Sequence, residues 1–68
     1  MNLNEYLESI EVGMSIKLTV KKGEKPFFYK GIVLTNNSEE SYLVIDDIKN
    51  VQVYCKYETI LDLEVSNE

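Results

Sequence analysis

The chain has 68 residues, 44% of them hydrophobic, with 7 basic and 12 acidic side chains and a formal charge of −5. One domain spanning 1–68 is expected at this length, and a core of this size supplies only roughly 3–5 kcal/mol, which makes self-association attractive. His, Arg, Trp and Ala are absent and Cys55 is the single cysteine, so an intrachain disulfide, a Cys/His zinc site, a His-dependent nucleophile and an arginine fork for phosphate are all excluded.

Asn2 and Asn4 are helix N-capping residue types, and Leu3, Tyr6, Leu7 and Ile10 recur at helical spacing, which predicts a short amphipathic helix over about 3–9. Gly13 then breaks the pattern. From Met14 the period becomes two: Met14, Ile16, Leu18 and Val20 alternate with polar residues, predicting a half-buried strand over 14–21. Lys22 to Pro26 reads as a turn. A second strand is expected over 27–35, with Gly31 at a bend or bulge because strand interiors otherwise disfavour glycine. A polar loop at 36–40 leads to strands over 42–46, 50–56 and 60–65, with a turn after Asp46 and a short connection at 57–59. Ser66 to Glu68 reads as a tail. The predicted fold class is therefore mainly β: a short N-terminal helix, then a five-stranded, strongly bent antiparallel sheet closing into a small barrel, which would hide its edges.

No segment reaches the ~20 apolar residues that span a bilayer. The N-terminus lacks signal-peptide character, and a lone thiol suits a reducing compartment, so a cytoplasmic location is expected.

The charge is unevenly distributed. Residues 1–11 carry −3, residues 12–38 carry +4, and residues 39–68 carry −6. The basic part is the predicted first hairpin, where Lys21, Lys22, Lys25 and Lys30 interleave with Phe27, Phe28 and Tyr29. Lysines beside aromatic rings suit phosphates and stacked bases. They equally suit an acidic protein surface, or a soluble strand whose rings are core. Tyr54 shares the outer face of its strand with Gln52 and Lys56, and reads as an exposed contact residue. Cys55 alternates with Val51 and Val53 and reads as a small buried hydrophobe. Glu39, Glu40, Asp46 and Asp47 fit no calcium loop and read as solvated turn acids.

The chain resembles the Sm-like (Hfq-type) small β-barrel fold from Leu3 to Val65, and SH3-like barrels share a similar strand order. Gly31-Ile32-Val33 is similar to the Sm-like Gly-x-hydrophobic element. Asn37 falls where that family has an acid, and Ser41 where it has a base-contacting Asn. Lys56 to Ile60 is similar to the second motif, with Lys56 at its basic position. Glu40 stands where a base-stacking residue is expected, and Tyr57 where the motif has Gly or His, so the RNA pocket that the resemblance would imply is incomplete.

These readings predict a non-enzymatic binding module, a homo-oligomer that engages a protein partner or a nucleotide or RNA ligand at subunit junctions. The candidate contact residues are Lys21, Lys22, Lys25, Phe27, Tyr29, Lys30, Tyr54 and Lys56. No cofactor, metal or membrane is expected. The alternative is a small acidic antagonist of the phage type, whose C-terminal acids imitate a nucleic acid and block a nucleic-acid-binding protein.

Overall fold

A computed structural model describes residues 2–49 and 51–66. The order of elements is α1 (Leu3–Glu8), β1 (Ser15–Lys22), β2 (Lys25–Asn37), β3 (Tyr42–Asp47), β4 (Gln52–Lys56), a 3₁₀ turn (Tyr57–Thr59) and β5 (Ile60–Val65). The protein is thus mainly β, with one short helix. The five strands form one antiparallel sheet in the order β4-β3-β2-β1-β5.

Local chemistry sets the ends of α1. The Asn2 side chain accepts a hydrogen bond from the Glu5 amide at 2.9 Å, satisfying one of the orphan donors at the helix start. At the other end, the Asn36 carboxamide donates to the Leu7 and Ile10 carbonyls at 2.9 and 2.7 Å. Asn36 in turn accepts from the Tyr57 hydroxyl. A six-residue helix is not stable alone. This one is held by the burial of Leu7 and by the Asn36 clamp.

The two-residue loop Gly23-Glu24 joins β1 to β2 and places Lys22 opposite Lys25, with Gly23 at φ +67°. The Val33 amide bonds the Met14 carbonyl, so by antiparallel alternation Lys22 and Lys25 form a hydrogen-bonded pair and Lys21 and Pro26 do not. The ring nitrogen of Pro26 therefore faces away from β1. The ladder between β2 and β3 begins only at Gly31, so no ladder bond is lost there and β2 starts two residues earlier than predicted. It also continues to Asn37, and β3 continues to Asp47.

β2 pairs with β1 up to Ile32 and with β3 from Gly31 onward. Its register on β3 shifts between Val33 and Thr35, so the bulge expected at Gly31 lies at Leu34 instead. Gly31 serves a different need. A β-carbon there would lie 2.2 Å from the Asp46 carbonyl oxygen and 2.9 Å from the Asp47 α-carbon. Only glycine allows β3 to approach β2 this closely.

The core contains Leu7 and Ile10, Ile16, Leu18 and Val20 of β1, Val33 of β2, and Leu43 and Ile45 of β3. Val53, Cys55, Tyr57, Ile60 and Leu63 complete it. β1, β3 and β4 contribute alternate residues, β2 contributes Val33, and β5 contributes Ile60 and Leu63, three residues apart because its register on β1 shifts at Leu61. With α1 packed on the sheet, the molecule measures 27 × 24 × 20 Å. Among the described residues no ladder joins β4 to β5, which are its two edges.

Candidate functional site

A groove of about 760 Å³ opens at the hairpin end of the molecule. It is lined from the hairpin by Leu18, Lys22, Phe27, Phe28, Tyr29 and Lys30, from the β3–β4 turn by Asp47, Ile48, Lys49 and Val51, and from β4 by Gln52, Val53 and Tyr54. Lys17 and Thr19 of β1 and Asp62 and Glu64 of β5 also border it. Both edge strands therefore flank the groove.

Strand parity sorts the hairpin residues. Lys22 follows Ile16, Leu18 and Val20 on the core side of β1, and Phe27 and Tyr29 lie on the same side of β2 opposite Val20 and Leu18. Near the hairpin tip the core runs out, and the three side chains meet at its rim. The Lys22 ammonium donates to the Tyr29 hydroxyl at 2.8 Å and lies 5.2 Å from the Tyr29 ring centre and 5.6 Å from that of Phe27. The bond to the Tyr29 hydroxyl holds the ammonium above its ordinary pKa, and both ring faces favour the cation. The result is a fixed positive charge beside an apolar wall, in which Ile48 and Val51 are exposed.

Asp47 is not a solvated turn acid. It ends β3 at only 8% exposure, and its Oδ1 accepts from the Lys30 amide at 3.3 Å. The Ile48 amide donates to the Lys30 carbonyl at 3.0 Å. These two bonds tie the β3–β4 turn to β2 and hold Ile48 at the groove. Asp46, on the other face, is half-buried.

Of the residues singled out from the sequence, Lys22, Phe27, Tyr29, Lys30 and Tyr54 line this groove. Lys21 and Lys25 are exposed but do not border it. Lys56 lies in a separate polar depression with Asn4, Glu40, Ser41, Tyr57 and Glu58. The basic hairpin is thus not one surface: alternation directs Lys21 and Lys30 to the side of the sheet opposite Lys22, and of these two only Lys30 borders the groove. The wall residues Ile48 and Val51 were not anticipated. Their signal was two aliphatic residues inside a stretch read as turn and strand start. Tyr54 is 54% exposed and stacks on Tyr42 with ring centres 4.7 Å apart.

The sequence's charge segregation also changes meaning in three dimensions. Lys17 sits directly opposite Glu64, and Thr19 opposite Asp62, where β1 pairs with β5. Part of the basic segment is therefore faced by acids of the same molecule, which weakens charge as a reason for head-to-tail assembly.

Cys55 is buried beneath this region, and burial pushes its thiol from the ordinary 9.0 up to about 11, with Lys22 pulling weakly the other way. Such a thiol is not a nucleophile at neutral pH. Burial likewise raises the pKa of Tyr57, aided by Glu8 and opposed by the hydrogen bond to Asn36. Among the described residues no helix is long and apolar enough to cross a membrane. Comparison with known proteins returned no matching family model and no matching curated protein.

Proposed function

We propose that the protein is a small non-enzymatic binding module of the Sm-like or SH3-like barrel type, and that its groove seats a segment of a protein partner. The observation that carries this reading is the pairing of one positioned cation, Lys22 on Phe27 and Tyr29, with an exposed apolar wall of Ile48, Val51 and Tyr54. Apolar walls with a few placed polar groups are typical of binding sites, and a few buried anchors, tyrosine prominent among them, carry most of the affinity. The strand order and N-terminal helix support the barrel resemblance. Capture of a partner by the immobilised chain tests the proposal. Ile48→Asp and Lys22→Glu should each abolish capture of the same protein without unfolding the chain, and unchanged capture by both variants would overturn the groove as the site.

Self-association belongs to the same proposal, because a core this small gains from a second copy. Light scattering that returns only monomer at high concentration would remove it. A nucleic-acid ligand is the second reading, favoured by the lysine and rings at the hairpin rim. Such binding would weaken steeply with salt.

A further inference from the structure

The two edges of the sheet are not equivalent. On β5, the Ser66 amide bonds the Ser15 carbonyl at 2.8 Å, so by alternation Glu64 and Asp62 face β1, and the Leu63 backbone points off the edge. The Leu63 amide is then closed by the side chain of its own neighbour: Asp62 Oδ1 accepts from it at 2.9 Å. On β4, the Asp47 amide bonds the Val51 carbonyl and the Tyr57 amide bonds the Ser41 carbonyl. Those bonds assign Val51, Val53 and Cys55 to the β3 ladder and turn the backbones of Gln52 and Tyr54 outward. The Lys56 carbonyl is covered by the Thr59 hydroxyl at 2.7 Å. No such cover closes Gln52 or Tyr54 among the described residues, and both border the groove.

We propose that β4 is a strand-addition edge, on which an extended segment of a partner protein pairs with Gln52 and Tyr54 while its alternate side chains enter the groove. This deepens the reading of the groove as a protein-binding site and rests on it. Main-chain bonds to such an edge supply affinity, and pockets for alternate side chains supply specificity. Charge complementarity defines the segment. The groove's acids are already engaged, Asp47 by the Lys30 amide and Asp62 by Leu63, while Glu64 faces Lys17. Lys22 is bonded to a tyrosine hydroxyl rather than a carboxylate. The occupant is therefore a segment whose alternate, groove-facing residues are apolar except for one acid, the carboxylate that meets Lys22.

The test uses the full ¹⁵N-labelled chain and pools of seven-residue peptides with valine or leucine at alternate positions, serine between them and glutamate at one of the alternate positions, against pools carrying lysine at that position instead. The acidic pool should shift the amides of Gln52, Tyr54 and Lys22 and slow exchange of the Tyr54 amide. Gln52→Pro removes one outward donor without a ladder bond and should weaken binding about 3- to 10-fold, the worth of one hydrogen bond; Gln52→Ala should not. In case the proline variant misfolds, two peptides N-methylated on opposite edges provide the same test, and only one should lose binding. Groove shifts with no effect of Gln52→Pro or of either methylation would overturn strand addition and leave the groove reading standing. Absence of groove shifts with every pool would overturn both. Equal shifts from the lysine pool would overturn the acidic segment. A Tyr54 amide already protected in the free chain, and released on dilution, would make the occupant a second copy and overturn the partner segment.

Discussion

Lys22 and Tyr29, seven residues apart in sequence, are joined by a 2.8 Å hydrogen bond at the rim of the hairpin. The relationship exists because a two-residue loop brings both side chains to the same side of neighbouring strands. It converts one of several surface lysines into a fixed charge. Tyr29→Phe keeps the ring and removes the acceptor, so a bound carboxylate should be held about 3-fold more weakly or less, whereas Lys22→Gln should lose the salt-dependent part of binding altogether. Affinity of the acidic peptides at two salt concentrations checks this. Equal salt dependence in Lys22→Gln and the unmodified chain would place the cation elsewhere.

Gly31 is the position least tolerant of a side chain. A methyl group there meets backbone rather than a flexible side chain, so the two strands must part. Gly31→Ala should cost about 3 kcal/mol. At about 4–8 °C per kcal/mol for a domain of this size, Tm falls by roughly 12 °C or more. Gly23→Ala is the control: its φ is +67° but nothing lies within 4 Å, and only the left-handed conformation is penalised, by about 1–2 kcal/mol. Thermal unfolding followed by circular dichroism separates the two.

The Asn36 clamp predicts a coupled pair. Asn36→Ala strips the Ile10 carbonyl of its side-chain donor, while the Leu7 carbonyl keeps the Ile10 amide, and it should cost about 2 kcal/mol, and Tyr57→Phe about 1 kcal/mol. Because the residues share one network, the double variant should cost less than the sum. Hydrogen exchange should accelerate across Leu3–Glu8 in Asn36→Ala and stay near its original rate in the distal hairpin.

Cys55 gives a pH-dependent prediction. Its folded-state pKa of about 11 lies above the ordinary 9.0, so the folded state holds its proton longer than the unfolded chain. The associated stability is complete below pH 9 and is lost as pH rises through about 11. Tyr57 shifts in the same direction from 10.0 and adds to the loss. The denaturation midpoint should therefore fall between pH 9 and 11, less steeply in Cys55→Val. At pH 8 a thiol reagent should react about a hundredfold more slowly with the folded chain than with the unfolded one, from the thiolate fraction alone.

How much of this was legible in the sequence follows from where the period of two was clean. β1 alternates strictly and β5 does so in sequence from Leu61 to Val65; both were read within one residue of their observed limits, but the register shift against β1 exposes Leu61 and buries Ile60. β2 was read short because Pro26 resembled a turn residue and Asn36 a loop residue. The fold accommodates Pro26 on the unpaired side of the strand and uses Asn36 to hold the helix. The aromatic and basic content of the groove was legible as composition, but its assembly was not. That required the hairpin register, which the Gly23-Glu24 loop sets, and the two bonds from Lys30 that fold Ile48 over the groove. The edge asymmetry was hidden for a similar reason. Nothing in the sequence distinguishes Asp62, which closes a backbone amide, from the other acids of the C-terminal segment.

The central claim is that the groove, and not another exposed surface, receives the partner. Photo-crosslinking tests it most directly, with benzoylphenylalanine replacing Tyr54 in one sample and Leu61 in another. The two positions are similarly exposed, at 54% and 53%, but only Tyr54 borders the groove. The account predicts a discrete protein adduct from position 54 that disappears when Ile48→Asp is added, and none from position 61. Adducts of equal yield from both positions, or an adduct at 54 that survives Ile48→Asp, would contradict it.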